Sequence, residues 1–171
     1  MNTEAWLRGP INGIPPFLMP VAHSLTQARE DLRAAVSVVS EADVWHAPGG
    51  AASIGFHLRH IAGSGDRLLT YAQDRPLSDE QVTALEAERE PPVPRPTTAE
   101  LLAAVDDVIE RVLEVLRRTT GEELLATRGV GRAQLPSTVI GLLFHIAEHT
   151  QRHTGQVITT AKIVRRLGAS A

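Results

Sequence analysis

At 171 residues with a formal charge of −3, the chain is long enough for one domain with a true core, and it lacks the basic footprint of a nucleic-acid or anionic-membrane binder. An apolar fraction of 43% with only 4% aromatics places the core on Leu, Val, Ile and Ala, a mixture that favours helices. There is no cysteine, which excludes disulfides, thiolate metal sites and a cysteine nucleophile. No apolar run approaches the ~20 residues that span a bilayer.

Residues 1–20 carry prolines at 10, 15, 16 and 20 together with Gly9 and Gly13, a composition that argues against a helix. They also carry Trp6, Leu7, Ile11, Ile14, Phe17, Leu18 and Met19, so an arm packed on the body is expected rather than a free tail. Glu4 and the scattered prolines do not match the basic-then-apolar plan of a secretory signal, and the cytoplasm is the expected compartment. From about Val21 to Ser40, Leu25, Ala28, Leu32, Ala35, Val36 and Val39 recur at helical spacing. Pro48-Gly49-Gly50 then breaks the chain. A second helix is expected over roughly Ser53 to Gln73, with Ile54, Leu58, Ile61, Leu68 and Leu69 on its apolar period.

The stretch from Asp74 to Pro96 is the longest interruption. Within it Ser78 and Gln81 have capping-box spacing for a short helix ending near Glu90, and PPVPRP then forces an extended connection. Thr97 and Glu100 make a second capping box, followed by Leu101, Val105, Val108, Ile109, Val112, Leu113 and Leu116 at helical period. Thr127 to Pro136, with Gly129 and Gly131, reads as a loop, and a last helix is expected from Ser137 to about Leu167. Four long helices, no convincing strand and no internal repeat give an all-α four-helix bundle. It is read as one domain over 1–171, with an extended N-terminal arm and a long connection between helices 2 and 3.

Seven histidines lie at 23, 46, 57, 60, 145, 149 and 153, five of them in two short windows, FHLRHIAG and HIAEHTQRHTGQ. Random placement gives roughly a quarter of one i,i+4 pair; here His145, His149 and His153 chain two such pairs. Side chains four apart share a helix face with their Cβ atoms about 5–6 Å apart, so two imidazoles can each bring a nitrogen to a common point about 2.0–2.1 Å away, a metal bond length. A third ligand must come from another helix, and His60 is the natural candidate, with His57 one turn earlier as its alternative. Three protein ligands leave positions open, as reactive metal sites do. The plain alternatives are an exposed polar stripe for His149 and His153 and a hydrogen-bonded core histidine for His60.

His145-Ile-Ala-Glu148-His149 also reads as H-x-x-E-H, the inverted zinc-protease pattern. That pattern expects a further acidic ligand well downstream, and none of the 22 residues after His149 is Asp or Glu. Glu148 projects about 100° around the helix from His149, which favours an ion pair over a catalytic base. His145 is expected at the pocket wall or on the surface. Gln156 is a candidate hydrogen-bond donor to a bound molecule, Arg59 and Arg152 read as surface or interhelical cations, and Gly63, Gly141 and Gly155 permit close approaches.

FHLRHIAGSGDRLL paired with HTQRHTGQ resembles the DinB/YfiT superfamily of bacterial four-helix metal-binding proteins, over nearly the whole chain in helix order. That resemblance implies one ligand from His60-Ile61-Ala62 on the second helix and two from His149 and His153, with Gly155-Gln156 following. The arm WLRGPINGIPPFLMP lies outside the general pattern. The implied function is a divalent-metal-dependent enzyme acting on a small molecule: a transferase or isomerase using a low-molecular-weight thiol, or a metal-assisted hydrolase. Zinc or nickel is expected first, then iron, manganese or copper. A non-catalytic, stress-related metal- or small-ligand-binding bundle is the alternative. The helix faces leave room for a homodimer.

Overall fold

A computed structural model describes residues 3–168. Among the described residues five α-helices form: α1 (Met19–Val36), α2 (Ile54–Ala72), α3 (Asp79–Glu86), α4 (Thr98–Arg118) and α5 (Val139–Gly168). The four long ones make a bundle in which α1 and α2 each pack against both α4 and α5. The consecutive helices α1 and α2 therefore face each other across a diagonal, as do α4 and α5. Crossing a bundle end diagonally takes more chain than the short loop between adjacent antiparallel helices, and residues 37–53 and 119–138 supply it. The consequence for function is that α2 and α5, remote in sequence, become neighbours.

Local chemistry sets the helix starts. The Ser53 hydroxyl accepts from Phe56 N at the start of α2, and both expected capping boxes form, Ser78 with Gln81 and Thr97 with Glu100. α1 begins at Met19 rather than Val21, because Pro20 falls in its first turn, where a missing N–H costs nothing. It stops at Val36, four residues short of Ser40, with the Ser37 hydroxyl turned back onto the Ala34 carbonyl. α3 ends at Glu86 rather than near Glu90. The packed stripes of the long helices meet in one core, with Leu25, Leu32, Leu58, Ile61, Ile109, Leu116 and Leu143 fully buried.

The absence of strands is corrected. Thr127–Val130 (β1) and Leu135–Thr138 (β2) pair antiparallel, with Gly129 opposite Pro136. Glycine and proline argue against a strand in sequence, yet in a ribbon of two strands an outward-facing position needs no N–H, so Pro136 is tolerated there. Gly131 and Gln134 take positive φ in the turn. Arg128 Nε donates to the Ala72 carbonyl at 2.9 Å, fixing the hairpin to the open C-terminal end of α2.

The arm packs only in part. Ala5, Ile14 and Leu18 are buried, whereas Trp6, Leu7 and Phe17 are more than half exposed. Polar ties hold it to α1: Ala5 N to Gln27 Oε1 at 2.8 Å, His23 Nε2 to the Gly9 carbonyl at 2.9 Å, and Arg8 with Glu30. Among the described residues, no helix is long and apolar enough to cross a membrane.

A candidate metal centre between α2 and α5

The α2–α5 seam brings His60, His149 and His153 together, each half-buried, with one ring nitrogen from each lying within 4.8 Å of the others. The ring centroids are 4.9 Å apart for His60 and His149, 4.6 Å for His60 and His153, and 4.6 Å for His149 and His153. His60 Nε2 and His149 Nε2 stand 3.3 Å apart. Two ligands on a tetrahedral ion at about 2.0–2.1 Å stand about 3.3–3.4 Å from each other, so this spacing fits the group.

Hydrogen bonding on the far side of the His60 and His149 rings fixes which nitrogen faces inward. Glu88 Oε2 lies 2.8 Å from His60 Nδ1. A carboxylate only accepts, so Nδ1 carries the proton and Nε2 the lone pair. The Ser64 hydroxyl lies 3.3 Å from His149 Nδ1 and donates its one proton to the Ile61 carbonyl, so it accepts from His149 and leaves that Nε2 as a lone pair too. Two lone pairs aimed at each other across 3.3 Å repel unless a proton or cation lies between them. The third ring, His153, has its Nδ1 2.9 Å from Nδ1 of the buried His57. When His153 donates in that pair, its Nε2 is free to serve as a ligand.

Electrostatics keep His149 and His153 uncharged. Burial, reinforced by the neighbouring imidazoles and Arg152, lowers His149 and His153 to about 4, so both are neutral acceptors at pH 7. Burial and then His60 lower His57 as well. Glu88 goes the other way around its own environment: burial alone would raise it, but the His60 hydrogen bond and the Arg67 charge outweigh burial and hold it ionised. Arg67 Nη2 reaches the two Glu88 oxygens at 3.0 and 3.2 Å, both side chains being buried. Gly63 makes room for this pair, since a Cβ there would stand 2.8 Å from Glu88 Oε1 and 2.9 Å from Arg67 Nη1.

The other histidines do different work. His57 is outside the convergent set and braces His153. His145 is largely exposed and pairs with Glu148 at 3.2 Å, and Glu148 also pairs with Arg152, so this acid is engaged at the surface. Gln156 is exposed. Arg59 is an interelement cation, its Nη1 donating to the Glu90 carbonyl at 2.7 Å and the Glu88 carbonyl at 3.4 Å. Sequence reasoning missed Glu88 and Ser64. Ser64 lies one turn from His60 and was findable from that spacing; Glu88 follows α3 in a run of acids and gives no periodic signal.

Comparison with known proteins bears on the fold and the family. No curated protein matches the chain. Among solved structures, YfiT from Bacillus subtilis, described as a probable metal-dependent hydrolase with an unusual four-helix bundle topology, superposes with a TM-score of 0.63 at 18% identity, over 94% of this chain and 93% of that one. The pattern of the DinB superfamily matches residues 24–157, a span that takes in α2 and α4 whole, most of α1 and α5, and all three converging histidines: the chain belongs to the DinB superfamily.

Proposed function

We propose that this protein is a metal-dependent enzyme of small molecules, with one divalent ion held by His60, His149 and His153. The observation that carries the reading is the facing pair of Nε2 lone pairs at 3.3 Å, each ring braced from behind. Such an ion, zinc or nickel before iron, manganese or copper, would supply a Lewis acid and lower the pKa of water or a thiol in its open positions. The chain's own part is orientation. Glu88 fixes the His60 tautomer and strengthens its lone pair, Ser64 does the same for His149, and His57 accepts from His153. Phe56 stacks on His60 at 5.6 Å and 7° between planes, which limits rotation of that ring.

Hydrolysis of a small molecule is the first reaction class, supported by the description of YfiT. Transfer or isomerisation with a low-molecular-weight thiol as partner is the second, since the same ion would activate either nucleophile. A homodimer in the cytoplasm completes the proposal; a monomer alone on sedimentation at micromolar concentration would remove the dimer. The decisive experiment is elemental analysis of purified protein beside His149→Ala, followed by metal-dependent turnover of ester, amide and thiol-electrophile panels. One ion per chain in the wild type and near none in His149→Ala is expected. Stoichiometric metal in the variant moves the site elsewhere, and metal without turnover favours a binding protein.

A further inference from the structure

Glu88 also lines a cleft of about 500 Å³, between α2, the end of α3, Pro94–Pro96 and the first half of α4. That volume is typical of small-molecule sites. Its apolar surface is supplied by small or short groups such as Ala62, Gly63 and Ala104. Its charges do not cancel. Glu88 is taken by Arg67 and His60, and the Glu100 carboxylate is taken by Thr97 in the capping box. Arg59 and Arg95 also line the cleft, and among the described residues neither has a carboxylate within ion-pair distance. Arg59 spends only Nη1, on backbone carbonyls, leaving Nε and Nη2. Arg95 makes no hydrogen bond to the described residues; its guanidinium stands 6.0 Å from the Trp45 ring centroid, a face-on contact that holds the side chain over the indole.

We propose that this cleft binds a small organic oxyanion, with a carboxylate or phosphate on Arg59 and Arg95 and a compact apolar body against Ala62 and Ala104. Guanidinium groups are suited to this task because their N–H pairs match the two oxygens of such a group. The site stands on α2, α4 and the Pro94–Pro96 segment and needs no ion at the histidines.

Calorimetric titration of metal-free protein with 1-naphthoate, and with neutral 1-naphthamide as the matched control, tests it. Naphthoate is expected to bind at least about tenfold tighter than naphthamide, the margin of a charge-assisted hydrogen bond. Arg95→Gln should lose about that factor with at most a small fall in melting temperature, since the one contact of its side chain among the described residues is the exposed cation–π pair with Trp45. Arg59→Gln should act in the same direction, and Ala104→Phe should abolish binding of both probes by filling the cleft. His149→Ala should bind naphthoate as the wild type does. Equal affinity for the two probes, full affinity in Arg95→Gln or Ala104→Phe, or loss confined to His149→Ala would each overturn the proposal; the last would place the carboxylate at the histidines. None of these outcomes bears on metal content, so this proposal and the metal-centre reading fail separately.

Discussion

Each converging imidazole is held from behind by a different kind of group: a carboxylate on His60, a hydroxyl on His149, a second imidazole on His153. Removing such a brace leaves the ligand in place but lets the ring turn and change tautomer, which costs about 10–100-fold in metal affinity. Glu88→Gln and His57→Phe should therefore keep stoichiometric metal at saturation and weaken it by that factor in a chelator competition; wild-type affinity in both would show that the rings need no bracing. The same residues set an acid sensitivity. His149 and His153 titrate at about 4 in the fold, against about 6.5 in an unfolded chain. Between these values the unfolded chain binds more protons, so stability rises with pH. The contribution is fully present above about 6.5 and drains away as pH falls through about 4. Melting of metal-free protein from pH 7 to pH 4.5 should show a falling Tm, and His149→Ala/His153→Ala should flatten that slope; a flat wild-type profile contradicts the argument.

At the scale of elements, the centre depends on how α2 starts. Gly55 sits under the Trp45 indole, where a Cβ would fall 2.7 Å from the ring, and Trp45 Nε1 donates to the Pro96 carbonyl at 3.2 Å. One tryptophan thus joins the connection 37–53, the first turn of α2 and the segment entering α4. Gly55→Ala must push the ring away. Overpacking of this kind costs about 1–3 kcal/mol, and the loss should appear as a lower Tm. Because His57 and His60 lie within the next two turns, metal affinity should fall with it. An unchanged Tm and affinity would mean that the indole moves at no cost.

At the scale of the whole molecule, the diagonal order of the helices creates the α2–α5 contact, and the buried residues along it hold the rings in register. Leu143 is fully buried on α5 and Leu58 on α2, at 0% exposure each. Leu143→Ala should cost about 2–5 kcal/mol, the range for a truncated core leucine, read as a lower midpoint in urea. Bound metal should restore part of that stability, because an ion that binds only the folded state shifts the equilibrium towards it. No metal-dependent gain in midpoint would argue against a centre that bridges two helices.

The amino-acid order alone determined the four long helices, the two capping boxes and the suspicion attached to five clustered histidines. Those features are local: a helical period, a hydroxyl three residues before a carboxyl or amide, an imidazole four residues from another. Tertiary structure decided the rest. The choice of His60 over His57 depends on which face of α2 meets α5, a matter of helix rotation that spacing of three residues leaves open. Glu88 becomes a partner of His60 only because Arg67 and Arg59 draw the end of α3 against α2. The hairpin at 127–138 is not legible in the sequence because pairing between strands is a contact between residues, and Gly129 and Pro136 each have a low strand propensity.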